Sequence, residues 1–287
     1  MKQAFFLLVM IVFYSCSKNE VVLDDNNVPP PDTTINSAVY EDYINRCYIL
    51  LNGREPDSLE LSISLSRLKQ NYLSKNAREI FLDSLFSNQE YLDRLYNLNR
   101  IAILNDLDSN DITFQISLFN IYLQDITYQF AWPSLQYEVN RLDTLRKKTN
   151  DFLGRKASNK DLQLAMLNNY FFDQINMGAA NYVIAAFQLF LNRNPTVQEQ
   201  SSGVAMINGT SSVLFLEVGS SKDDFNRILF NSANYAEGIT VANYMNFLFR
   251  NPTSVEMSNA TQKFLTTQSY QLLQRDILIT DEFVGLK

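Results

Sequence analysis

Histidine is absent from all 287 residues, which removes histidine-based triads, histidine-ligated zinc and histidine-ligated haem together. Glycine is scarce, at eight residues, and no Gly-rich phosphate loop, Cys-pair metal site or acidic calcium loop can be assembled from the chain. Positive charge is in short supply: 24 Lys and Arg against 31 Asp and Glu leave a net charge of −7. There is no basic stripe for nucleic acid or anionic lipid, and no nucleic-acid partner is expected. Carboxylate-only chemistry needs just two acids and is untouched by these absences. No catalytic, cofactor-binding or metal-ligating residue is assigned, no cofactor is expected, and the chain is read as a non-enzyme.

What is present begins with an address. Lys2 and an apolar run, Phe5 to Phe13, are followed by Tyr14-Ser15-Cys16; the run is too short for a permanent membrane span. An apolar run ending in a small residue directly before cysteine resembles the bacterial lipobox. The resemblance implies a signal peptide over 1–15 and lipidation of Cys16 as the first residue of the mature protein. Several acyl chains, at roughly 0.8 kcal/mol per buried methylene, hold such a protein to a bilayer stably. Residues 16–37 read as a flexible tether: polar and acidic, with Pro29-Pro30-Pro31 and no periodic apolar face, they cannot offset their own ordering entropy. Ser17 and the acids Glu20, Asp24 and Asp25 resemble the sorting and export signals of Bacteroidetes-type lipoproteins, which implies an outer-membrane location.

From Ala38 onward the spacing predicts an all-α fold. Tyr40, Tyr43, Ile44, Cys47, Tyr48 and Leu51 fall on one helical face, which makes Cys47 a small buried hydrophobe rather than a nucleophile. Two helical subdomains are expected, 38–150 and 151–287. At most one short β element is predicted, at Val213 to Val218, bounded by Gly, Ser and Thr, with a buried helix start or an apolar loop as the alternatives. The aromatic series Phe114, Phe119, Tyr122, Tyr128, Phe130, Trp132 and Tyr137 is expected to be core, with a partner or glycan platform as the alternative. Arg141, Arg146, Lys147 and Lys148 are expected to form a solvated face near a helix end.

A degenerate repeat organises the mature part. Arg54-Glu55-Pro56-Asp57-Ser58-Leu59-Glu60, Arg193-Asn194-Pro195-Thr196-Val197-Gln198-Glu199 and Arg250-Asn251-Pro252-Thr253-Ser254-Val255-Glu256 share the pattern R-x-P-[DT]-x-x-E. An aromatic residue stands six places before each arginine: Tyr48, Phe187 and Tyr244. A decayed copy runs from Gly154-Arg155 to Asp161. The residue types predict a helix–turn–helix corner: arginine suits a helix C-terminus, and proline stops continuation. Asp57, Thr196 and Thr253 cap the next helix, and Glu60, Glu199 and Glu256 complete capping boxes. A second block, Phe81-x-x-x-Leu85-Phe86 with Tyr91, matches Phe225-x-x-x-Leu229-Phe230 with Tyr235 at identical offsets.

These motifs resemble the helical repeats of phycobilisome linker domains and the helical modules attached to planctomycete cytochrome-type proteins. Tyr48 to Glu60 with Phe81 to Tyr91 carries the resemblance best. It implies an assembly role and no chromophore or haem, since there is no histidine and no Cys-x-x-Cys-His. The reading is therefore an outer-membrane-anchored lipoprotein acting as a non-catalytic scaffold or accessory subunit of a cell-envelope assembly. Its expected partners are the membrane, through the lipid on Cys16, and an envelope protein. The alternatives are a glycan-binding surface lipoprotein and a carboxylate-dependent glycoside hydrolase, the latter requiring two acids to share a cleft.

Overall fold

The computed structural model describes residues 35–286; the signal peptide, Cys16 and most of the tether lie outside the described residues. The first repeat occupies Ser37–Asn52 (α1), Ser58–Gln70 (α2), Lys75–Ser87 (α3) and the start of Gln89–Leu104 (α4). Ser109–Gln124 (α5), a 3₁₀ turn at Ile126–Ala131, Trp132–Leu153 (α6), Asn159–Leu167 (α7) and Tyr170–Ile175 (α8) follow. The second repeat holds Ala179–Phe190 (α9), Val197–Ile207 (α10), the strands Ser212–Leu214 (β1) and Glu217–Gly219 (β2), Lys222–Asn231 (α11) and Ala233–Leu248 (α12). Ser254–Thr267 (α13), Tyr270–Leu278 (α14) and Asp281–Val284 (α15) complete the third, which shares α12 with the second. The fold is all-α apart from this two-stranded element.

The predicted β segment is a hairpin, folded back on itself rather than extended, with Val213 opposite Val218 and Leu214 opposite Glu217. Phe215 and Leu216 both adopt left-handed backbone angles, φ 50° and 67°, the geometry of a two-residue turn that usually carries Asn-Gly. Neither residue type announces a turn, so the six residues read as one apolar run.

The apolar face read off α1 is buried at every position, Tyr40, Tyr43, Ile44, Cys47, Tyr48 and Leu51. Burial also pushes the Cys47 thiol far above its ordinary range, which keeps it protonated and unreactive. The shared aromatic block does the same work in two repeats: Phe86 meets Tyr91 at 5.0 Å and Phe230 meets Tyr235 at 4.9 Å between ring centroids. Residues from Asn36 onward form one compact unit, and position 150 falls inside α6. Helices of both expected halves share its core, since α4 packs on α6 and α7, and α3 on α14.

The first and last described helices meet in this core. Arg46 stacks 4.1 Å from the Phe283 ring and donates to the Phe283 carbonyl at 2.7 Å. Arg78, itself buried, pairs with Asp281 at 2.8 Å.

Candidate functional site

Each full corner is built the same way. A left-handed residue ends the first helix, Gly53 at φ 78°, Asn192 at 53° and Phe249 at 55°, and turns the chain so that the following arginine points back across the corner. Pro56, Pro195 and Pro252 occupy the link before the N-caps Asp57, Thr196 and Thr253, and all three capping boxes are formed. Arg54, Arg193 and Arg250 clasp Glu60, Glu199 and Glu256 with both terminal nitrogens, at 2.7–2.8 Å. Each arginine also lies over the aromatic ring six places earlier, 5.6 Å from Tyr48, 5.1 Å from Phe187 and 5.4 Å from Tyr244. The spacing of six is thus a cation–π contact. Hydrogen bonds from Arg193 and Arg250, helped by the N-cap backbone and opposed by partial burial, hold the Glu199 and Glu256 carboxyls down to about 2. Glu60 is lowered from the same first cause.

A third partner was not evident from the corner motif. Glu90 takes two bonds from Arg54, at 2.8 and 2.9 Å, and Glu282 takes two from Arg250, at 2.7 and 2.6 Å. Asn234 accepts one from Arg193 at 3.2 Å. These residues stand directly before Tyr91, Phe283 and Tyr235, so the polar residue preceding each helix-opening aromatic is the overlooked signal. Alignment on it extends the third repeat: Leu273, Ile277, Leu278 and Phe283 keep the offsets of Phe81, Leu85, Phe86 and Tyr91, and all four are buried.

The decayed corner retains its capping box, Ser158 with Asp161, but not its clasp. Here Arg155 itself is left-handed, φ 59°, and Thr149 stands where the ring would be. Its guanidinium turns away to the carbonyls of Phe86, Ser87 and Asn88 at the end of α3, at 3.1, 2.7 and 2.9 Å. A further capping box, Asp108 with Asp111 between α4 and α5, escaped the sequence pattern because no arginine or proline marks it.

The three motif glutamates do not share a cleft, although Arg54 joins Glu60 to Glu90 and Arg250 joins Glu256 to Glu282. Glu60, Glu199 and Glu256 open three different helices, and each is consumed by its own arginine. A further pair of carboxylates, outside the corners, meets around Arg141. This residue is 8 % exposed, so the expected solvated basic face is wrong at its first member. Its Nη1 donates to both Glu138 oxygens at 3.0 and 2.9 Å, and its Nη2 lies 2.8 Å from Asp173. Lys222 also pairs with Asp173 and lies 4.3 Å from the Tyr182 ring centroid. Burial raises the Glu138 carboxyl and lowers the Lys222 ammonium from their ordinary values. The cluster ties α6, α8 and α11 together, with desolvation of its charges offsetting part of their mutual attraction.

The aromatic series is the other surprise. Phe119 is buried, in edge contact with Tyr170, but the rest of the predicted core is not core. Phe114 is 68 % exposed and Phe130 86 %, with Ile121 and Ile126 above 60 % beside them and Tyr128 and Tyr137 also exposed. The cause is packing: α5 lies chiefly against α6 and the 3₁₀ turn, and burial along α6 begins only at Val139. An apolar helix with one neighbour leaves its other face in solvent. Tyr122 and Tyr128 hold the turn, 4.6 Å apart, and the Trp132 indole donates to the Tyr122 carbonyl at 3.2 Å.

No protein family, curated protein or solved structure shows significant similarity to the chain. The likeness to linker-type helical repeats therefore rests on the motifs alone.

Proposed function

We propose that the protein is a non-catalytic scaffold or accessory subunit of a cell-envelope assembly, held at the outer membrane by lipid on Cys16, and that the α5–3₁₀–α6 arm contacts its protein partner. The observation that carries this reading is the apolar surface of the arm. Phe114, Ile121, Ile126 and Phe130 are each exposed within residues 114–130, and apolar exposure concentrated in one segment supports an interaction site. Charge defines the partner further. Between Ile101 and Asn140 there are five acids and no Lys or Arg; the flanking Arg100 and Arg141 pair with Asp106 and Glu138, which leaves Asp108, Asp111 and Asp125 as the arm's excess negative charge. Such a surface disfavours anionic lipid and suits an apolar groove rimmed with basic residues.

Native purification from membranes tests this. The wild-type protein is expected to leave the membrane with a bound partner, and Phe130→Ser with Ile126→Ser to leave without it. Extraction of the wild type as a free monomer would overturn the reading. The exposed Tyr128, Phe130 and Tyr137 rings also support glycan binding, the second reading; retention of the wild type but not the double variant on immobilised envelope polysaccharide would favour it instead.

A further inference from the structure

A cleft of about 450 Å³ lies where α4, the α6–α7 corner and the α13–α14 corner meet, away from the arm. Its apolar wall is made by Tyr91, Leu92, Leu95, Phe152 and Tyr270. No carboxylate lines it, although acids outnumber bases across the chain. Instead it holds the Arg155 side chain and the first turns of two nine-residue helices, α7 and α14.

Both helix ends keep donors in hand. Ser158 Oγ accepts from the Asp161 N–H and Ser269 Oγ from the Leu272 N–H, at 3.1 and 3.2 Å. The N–H groups of the first two residues of each helix have no intrahelical acceptor. Arg155 spends three N–H groups on the end of α3, but those acceptors are neutral carbonyls, so its charge is undiminished. A separate observation points to a missing acceptor. Asn159 lines the cleft, is 6 % exposed, and has an Nδ2 group without a hydrogen-bond partner. A buried donor left open is costly, and native proteins rarely tolerate one. A second cavity of about 330 Å³ adjoins through Arg155, Ser269 and Gln271 and adds Arg275, with Asp83 as its one acid.

We propose that this cleft binds a small organic anion: an aromatic or apolar body on the Tyr91–Tyr270 wall, with its phosphate or carboxylate group held by the two helix N-termini and Arg155. The chemistry follows from the lining. Two helix first turns lining the cleft and one guanidinium favour negative charge, opposed by the Asp161 carboxylate of the α7 capping box behind the lining, and the ring-bearing wall selects a body larger than an inorganic ion.

Calorimetric titration of the full chain with phenyl phosphate, benzoate, inorganic phosphate and phenol tests it. Saturable binding of phenyl phosphate or benzoate, stronger than that of phenol, is the expected result, and the tighter of the two identifies the anionic group. The deciding variant is Gln271→Glu, in the first turn of α14. A carboxylate there favours the helix by its dipole yet repels the ligand. Binding is expected to weaken about tenfold or more while thermal stability is kept. Arg155→Gln is expected to weaken binding as well, though Arg155 also secures the end of α3. Phenol binding as tightly as the anions, no binding of either organic anion, or indifference of the binding to Gln271→Glu would each overturn the proposal. Loss of the arm's partner leaves this result unaffected, so the two proposals fail separately.

Discussion

The Arg corners and the aromatic arm treat side chains in opposite ways. In the corners, charged residues on the surface are fully committed: Arg54 and Arg250 each engage two carboxylates, a backbone carbonyl and a ring. In the arm, residues that belong in a core are uncommitted, with Phe130 86 % exposed. Polar surface here is structural, and apolar surface is free. The difference teaches that charged surface in this protein is committed at helix junctions, while apolar surface is left where a helical hairpin lacks a third neighbour.

That contrast can be broken most severely where the junctions are tightest. A Cβ on Gly238 in α12 would lie 2.5 Å from the Leu191 Cα at the end of α9, and backbone cannot yield as a side chain tip can. Gly238→Ala is expected to cost roughly 3 kcal/mol, near the upper range for overpacking, read from denaturant midpoints. Next come the clasps. Arg250→Leu leaves Glu256 and Glu282 facing each other without their cation and is expected to cost about 2 kcal/mol after allowance for solvent screening. Arg193→Leu strands one carboxylate and a neutral Asn234, and should cost less; equal losses would mean that the third partner adds nothing.

Acid sharpens the same comparison. Glu199 and Glu256 ionise near 2 when folded, against an ordinary value of 4.5. A carboxyl lowered on folding contributes stability that is complete above its unfolded value and is lost as pH falls toward its folded one. Stability should therefore drop between about pH 4.5 and 2, and Glu199→Gln should flatten that drop when unfolding is followed against pH. Replacing Phe249, left-handed and 82 % exposed, with glycine is expected to gain about 1 kcal/mol by relieving backbone strain. In the arm, Phe130→Ser should change stability by less than about 0.5 kcal/mol yet diminish partner capture; a larger loss of stability would show that the arm is core after all.

Reading the corners needed only local physics. Capping, helix termination and the six-residue offset between ring and arginine are settled within a dozen residues, so their types and spacing disclose them before folding is considered. The same holds for the α1 face, whose burial follows from periodicity. The hairpin at Ser212–Gly219 was legible as β but not as a turn, because Phe215 and Leu216 carry no turn chemistry and take left-handed angles only in context. The partners Glu90 and Glu282 lie some thirty residues from their arginines and needed the bundle to bring them there.

Sequence by itself determined the helices, their junctions and the capping of each corner, because those depend on hydrogen bonds and contacts within one or two turns. Tertiary structure alone decided which apolar faces find neighbours. It buried Arg141 between Glu138 and Asp173, left Phe114 and Phe130 in solvent, and opened an acid-free cleft between α7 and α14. Periodicity specifies that a helix has an apolar face; only the packing of distant elements determines whether anything covers it.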